Sequence, residues 1–113
     1  MIKIYQIQLT KEQVNAVNND ESVPAFEAKM QAQMGFKTPT SLEHFVKAYE
    51  VHTDDKDLAF EYTNLWNNQY FVEAFGDRNH STSVGDIFEM DNGDFYMVAN
   101  FGFEKLNMMQ QAA

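Results

Sequence analysis

Cysteine is absent from the 113 residues. That rules out disulfides, thiolate metal sites and cysteine nucleophiles, and argues against structural zinc. Long apolar runs are missing too, for nothing approaches the roughly 20 residues that a membrane span needs. Residues 1–6 alternate with polar side chains and lack the continuous apolar centre of a secretion signal. A cytoplasmic location with no membrane partner is the expectation. Proline occurs only twice, and no Pro- or Ser-rich linker, internal repeat or low-complexity tract divides the chain. One domain over residues 1–113 is expected, with a frayed tail at 107–113.

Cations are scarce. Lys plus Arg number 8 against 17 Asp plus Glu, a formal net charge of -9. Beyond Lys56 the only formal cations are Arg78 and Lys105. A phosphate-binding surface needs clustered cations, so direct binding of nucleic acid is not expected. Attraction to the basic surface of a protein becomes easier. The simpler use of such charge is solubility.

Large side chains are plentiful, with ten Phe, five Tyr and an apolar share of 44%. That is enough to build a core and argues against disorder. Ile2, Ile4, Tyr5 and Ile7 predict a strand over residues 3–9. Thr10 with Gln13 has the form of a capping box and predicts a short helix to Asn18, with Val14 and Val17 inward. Pro24 suits a first helical turn and Gly35 a C-terminal cap, which predicts a helix between them. Phe26, Met30 and Met34 would share its face. Residues 42–48 read as a helical turn feeding a strand over 48–52. Asp54 is a natural N-cap, and Leu58, Tyr62, Leu65 and Trp66 recur at the spacing of a core-facing helical stripe. Residues 70–75 read as an apolar linker.

The clearest local signal is Asn92-Gly93 between two alternating segments, which predicts a hairpin with a two-residue turn. In that register Phe88 faces Met97 and Met90 faces Phe95. Phe88, Met90, Phe95, Met97 and Ala99 would lie on the core face. Ile87, Glu89, Asp91, Asp94, Tyr96 and Val98 would lie on the other, acidic near the turn. Glu89, Asp91, Asp94 and Tyr96 are therefore the candidate partner-binding residues. The whole reads as an α+β fold, a small antiparallel sheet of three to five strands with helices packed on one face.

Catalytic and metal motifs are thin. His52, Asp54, Asp55 and Asp57 have residue types that hold hard cations, yet capping and helix-dipole roles explain the acids. His80 near Ser81, Ser83 and Asp77 has the residue types of a hydrolytic triad without a nucleophile elbow. No metal, cofactor or catalytic residue is expected.

One stretch resembles a family. Asp57-Leu58, a helix running to Trp66-Asn67-Asn68, then the run from Arg78 through Asn79-His80-Ser81-Thr82-Ser83-Val84-Gly85-Asp86 to Ile87, and finally Phe101-Gly102-Phe103, resemble the YodL-like domain over residues 48–106. Thr82 stands where that pattern has Leu or Met. The resemblance implies a small accessory protein of phages, plasmids or conjugative elements, and names no catalytic residue. Together with the charge it leads to the expectation of a protein-binding accessory factor. Mimicry of nucleic acid to occupy a DNA-binding protein is the first alternative, and a hydrolase using His80 the second.

Overall fold

The computed structural model describes residues 1–35, 37–65 and 69–108. The chain runs β1 (Ile2–Gln6), α1 (Lys11–Asn18), α2 (Pro24–Met34), β2 (Val46–Val51), α3 (Lys56–Leu65), a single 3-10 turn (Gln69–Phe71), β3 (Val72–Ala74), β4 (Ile87–Glu89), β5 (Phe95–Val98) and β6 (Phe103–Leu106). The strands form one six-stranded sheet in the order β3-β2-β1-β4-β5-β6. Every neighbouring pair is antiparallel. The α+β class and the antiparallel sheet are those expected.

The sheet is larger than expected because two segments without a clear period form its edges. Residues 70–75, read as a linker, supply β3, and residues after Phe101 supply β6. Its helices also divide between the two faces instead of sharing one. Ala59 of α3 packs with Ile2, Ile4, Tyr49, Val51, Phe88 and Val98, while Ala32 of α2 packs with Ile87, Met97 and Leu106 on the opposite face. Adjacent strand residues such as Ile87 and Phe88 point to opposite faces, and here both are buried. A central strand apolar on both faces needs cover on both. Gly85 lets α2 approach closely. A Cβ there would lie 3.3 Å from Gln33 Cγ, and its φ of +96° also favours glycine.

Local signals are obeyed where chemistry is explicit. Thr10 Oγ1 accepts from the Gln13 N–H at 3.1 Å, and Gln13 Oε1 accepts from the Thr10 N–H at 2.8 Å, completing the capping box. Gly35 ends α2 in the left-handed conformation. Apolar facing was harder to read. α1 buries no residue, and Val14, expected inward, is exposed. Met34, expected on the face of α2 with Phe26 and Met30, is exposed, while Ala32 is buried. Residues 42–45 form a turn closed by the Phe45 N–H on the Leu42 carbonyl, not a helix.

In α3 the cap falls one residue later than expected. Asp55 Oδ1 accepts from the Asp57 and Leu58 N–H groups, while Asp54 accepts from the Met1 amine at 2.8 Å. The helix is also turned from its expected orientation. Ala59 and Thr63 are its buried residues, Tyr62 is half-buried, and Leu58 and Leu65 face solvent. Small side chains let the helix sit close to the sheet, and the Thr63 hydroxyl finds a buried partner in that of Thr82. Trp66, expected in the same stripe, lies outside the described residues, as do residues 109–113 of the tail.

The hairpin forms at the Asn92-Gly93 pair with a longer loop than expected. Strand pairing sets Ile87 opposite Met97, Phe88 opposite Tyr96 and Glu89 opposite Phe95. The Met90 N–H donates to the Asp94 carbonyl at 2.8 Å, and the Gly93 N–H to the Met90 carbonyl at 3.0 Å. Residues 91–93 thus form a three-residue loop with a left-handed third residue. Gly93 has φ 89°, and Asn92 accepts from the Asp94 N–H through its side chain at 2.9 Å. The slip of one residue exchanges faces along β5, which moves Tyr96 and Val98 to the Phe88 side. A Cβ on Gly93 would meet nothing within 4 Å, so its cost is conformational alone. Gly93→Val is expected to destabilise by about 1–2 kcal/mol or more, and Gly93→Asn by less. Urea unfolding of both variants measures this, and equal losses would contradict the turn assignment.

Candidate functional site

The four residues singled out on the hairpin separate into three environments. Tyr96 turns to the α3 face, where Lys56 Nζ lies 4.2 Å from its ring centroid. Asp91 accepts from the Met1 amine at 2.6 Å, beside Asp54. Glu89, on the Phe95 side, and Asp94, beside Lys105, both border one groove. It is open, about 750 Å³ in volume, and is lined also by Tyr5, Phe95, Lys105 and Leu106. The expected patch of four is therefore a pair. The slip in register explains the loss of Tyr96, since Glu89 now pairs with Phe95.

The groove exists because α2 covers only part of its face of the sheet. Ala32 sits near Ile87, Met97 and Leu106, and Leu42 and Met108 border the groove beside them. Its floor is apolar, from Phe95 and the buried Leu106. Leu42 and Met108 add apolar lining, and Tyr5, Glu89, Asp94 and Lys105 supply polar groups. Tyr5 donates its hydroxyl proton to Glu89 Oε1 at 2.7 Å. Burial first, and the Glu89 hydrogen bond and charge second, push the Tyr5 phenol well above its ordinary range. It remains a donor, which fixes the Glu89 carboxylate in place. A carboxylate has about four acceptor sites, so Glu89 retains capacity for a further donor. Asp94 Oδ2 lies 3.6 Å from Lys105 Nζ, a loose and solvated ion pair. Chemically, apolar lining beside carboxylates suits the stem and head of an arginine or lysine.

A second polar cluster is buried, and it centres on the segment that carries the family resemblance. β3 lies at one edge of the sheet, while β4 lies beyond both β2 and β1. Residues 75–86 must therefore cross the sheet. Gln6 on β1 and Tyr49 on β2 hold that crossing. Gln6 Nε2 donates to the His80 carbonyl at 2.8 Å and to Asp86 Oδ2 at 3.0 Å. The His80 N–H donates back to Gln6 Oε1 at 3.2 Å, and the Tyr49 hydroxyl donates to the His80 carbonyl at 2.9 Å. Asn79 Nδ2 donates to the Ala48 carbonyl at 2.9 Å, and Gln8 Nε2 to Asn79 Oδ1 at 2.7 Å. The Ser83 N–H reaches Asp86 Oδ2 at 3.0 Å.

Asp86 is only 4% exposed. Burial pushes its carboxyl up to about 6, and the Ser83 N–H, the nearby His80, Gln6 and Lys29 hold it from rising further. His80 Nδ1 lies 2.8 Å from the Ser81 carbonyl oxygen. A carbonyl accepts, so Nδ1 carries a proton. Nε2 is buried with no partner among the described residues. The ring thus meets a backbone oxygen, and Asp86 meets Gln6 and Ser83, so the parts of a triad are present without its geometry. The Ser83 and Asp86 contacts are the local backbone bonds that fix a lead-in to a strand.

Sequence reasoning missed Gln6 and Tyr49. Gln6 carried a signal, because it continues the inward alternation of Ile2 and Ile4 with a polar side chain. A buried amide must be paired, so a distant polar partner was implied.

Among the described residues, no group of three acidic or histidine side chains is placed to hold a metal ion, and no helix is long and apolar enough to cross a membrane. No protein-family model, curated protein or solved structure matches the chain.

Proposed function

We propose that this chain is a small acidic accessory protein, of the kind carried by phages and mobile elements, that acts by binding the basic surface of a protein partner. The groove beside the hairpin is the proposed contact. The observation that carries this reading is that Glu89 and Asp94 border one groove that Phe95 and Leu106 also line. The formal charge of -9 supports it, since a field of one sign steers a basic partner inward. The accessory role rests on the resemblance of residues 48–106 to the YodL-like domain. Direct mimicry of nucleic acid would need a continuous stripe of carboxylates. Here Asp86 is buried, and Asp54 and Asp91 gather at the Met1 amine, which favours a local contact.

A peptide of Arg, Gly and Ser is a suitable probe, because it supplies guanidinium groups without apolar side chains. Calorimetric affinity for Glu89→Gln/Asp94→Asn is expected to fall about tenfold or more. Asp91→Asn is expected to change it little. Equal affinities for the parent and the double variant would remove the groove from the account.

A further inference from the structure

The outer face of α3 uses large apolar residues where a solvated helix would use polar ones. Leu65 is 60% exposed, Leu58 37% and Phe60 36%. Together with Asp57, Glu61 and Asn64 they line one shallow depression along the helix. The inner face of the same helix is filled by Ala59 and Thr63. The sheet takes the small residues, and Leu65 above all is left to water. Phe71, itself partly exposed, stacks on Tyr62 with ring centroids 5.7 Å apart, so the apolar surface continues beyond the helix. At about 3.6 residues per turn, Leu58 and Leu65 form one apolar stripe, which Asp57, Glu61 and Asn64 separate from Phe60, and an exposed stripe beside polar residues marks an interaction site.

The rim says what kind of partner fits. Asp57 and Glu61 are exposed on this face. Lys56 is the only cation of α3, and its Nζ lies over the rings of Tyr96 and Phe103, on the sheet side. It does not offset the two acids. A second copy of the chain would bring Asp57 and Glu61 against their own equivalents in a two-fold contact, which like charges oppose. An acidic membrane surface is opposed for the same reason. Leu58 and Leu65 are two helical turns apart, about 10 Å. That matches the repeat of apolar residues along one face of a partner helix.

We propose that the outer face of α3 docks an amphipathic helix of a basic protein, with leucine-sized residues set against Leu58 and Leu65 and flanking Lys or Arg on Asp57 and Glu61. This surface is separate from the hairpin groove and does not depend on it.

The test uses the full chain, labelled with nitrogen-15, and three synthetic peptides. The first is an amphipathic Leu/Lys helix. The second has the same composition in scrambled order. The third is amphipathic with Glu in place of Lys. Only the first is expected to shift the amides of Leu58, Glu61 and Leu65, while either basic peptide can also touch the hairpin groove. Leu58→Ser/Leu65→Ser is expected to weaken binding at α3 about tenfold or more, as for residues central to an interface. Asp57→Lys/Glu61→Lys, which leaves the apolar residues in place, is expected to weaken it and to admit the Glu peptide. Both variants alter exposed side chains, and unchanged far-ultraviolet circular dichroism verifies their fold. Glu89→Gln/Asp94→Asn is expected to bind the Leu/Lys helix at α3 as the parent does. Equal shifts of Leu58, Glu61 and Leu65 with the scrambled peptide, no shift of those residues with the amphipathic one, or unchanged affinity at them in the leucine variant would each overturn the proposal. So would a dimer of the parent chain that the leucine variant dissociates.

Discussion

Gln6→Leu is expected to destabilise the fold by about 3 kcal/mol, read as a shift of the urea midpoint at constant slope. The leucine would fill the space but pair with nothing. It would strip a donor from the buried Asp86 and an acceptor from the His80 N–H, both of which Gln6 satisfies. A buried group left without its partner costs about 1–3 kcal/mol, and more when it is charged. The His80 carbonyl would keep the Tyr49 hydroxyl, which limits the damage. Gln6→Glu should be worse near neutral pH, because a second carboxylate would face both Asp86 and the His80 carbonyl. A Gln6→Leu protein as stable as its parent would show that the crossing of residues 75–86 is held by something else.

Asp86→Asn is expected to stabilise the protein near pH 7.5 and to flatten its pH dependence. The native carboxyl titrates at about 6 against an ordinary value of 3.8. Between those values the native state binds more protons than the unfolded one, so stability falls as pH rises. The contribution is whole below about pH 4 and lost above about pH 6. A shift of about two units corresponds to roughly 3 kcal/mol, the upper bound on the gain from Asn. Asn keeps an oxygen that can accept from Gln6 and Ser83, while its NH2 group must find a place, which lowers the net gain. Glu50, held below its ordinary range chiefly by Lys47, and Asp54, held low chiefly by the Met1 amine, act in the opposite sense in more acidic solution. The difference between parent and variant isolates Asp86. Parallel stability curves from pH 4 to 7.5 would contradict the assignment.

Elements with explicit local chemistry were legible in the sequence. The capping box at Thr10, the glycine cap at Gly35 and the hairpin at Asn92-Gly93 are each specified by groups within a few residues. The register of that hairpin was not, because Asn-Gly also suits a three-residue loop whose last residue is left-handed. One residue of slip was enough to part Tyr96 from Glu89, although Glu89 and Asp94 still border one groove. The facing of α3 was misread for a different reason. Periodicity reports which residues share a face, not which face the sheet accepts. Leu58, Tyr62 and Leu65 do share a side of the helix, but close packing beside Thr82 selected Ala59 and Thr63. The edge strands β3 and β6 carry little alternation and are defined by their neighbours. The crossing of residues 75–86 depends on pairs such as Gln6 with Asp86, which lie too far apart in sequence for any local pattern.

The central claim is that Glu89 and Asp94 form the contact for a basic partner. Nitrogen-15 amide mapping of the Arg/Gly/Ser peptide on the full chain, at low and at physiological ionic strength, tests it most directly. The account predicts shifts centred on Tyr5, Glu89, Asp94 and Phe95, and affinity that falls as salt screens the charges. Shifts centred on residues 79–86, or binding that ignores ionic strength, would contradict it.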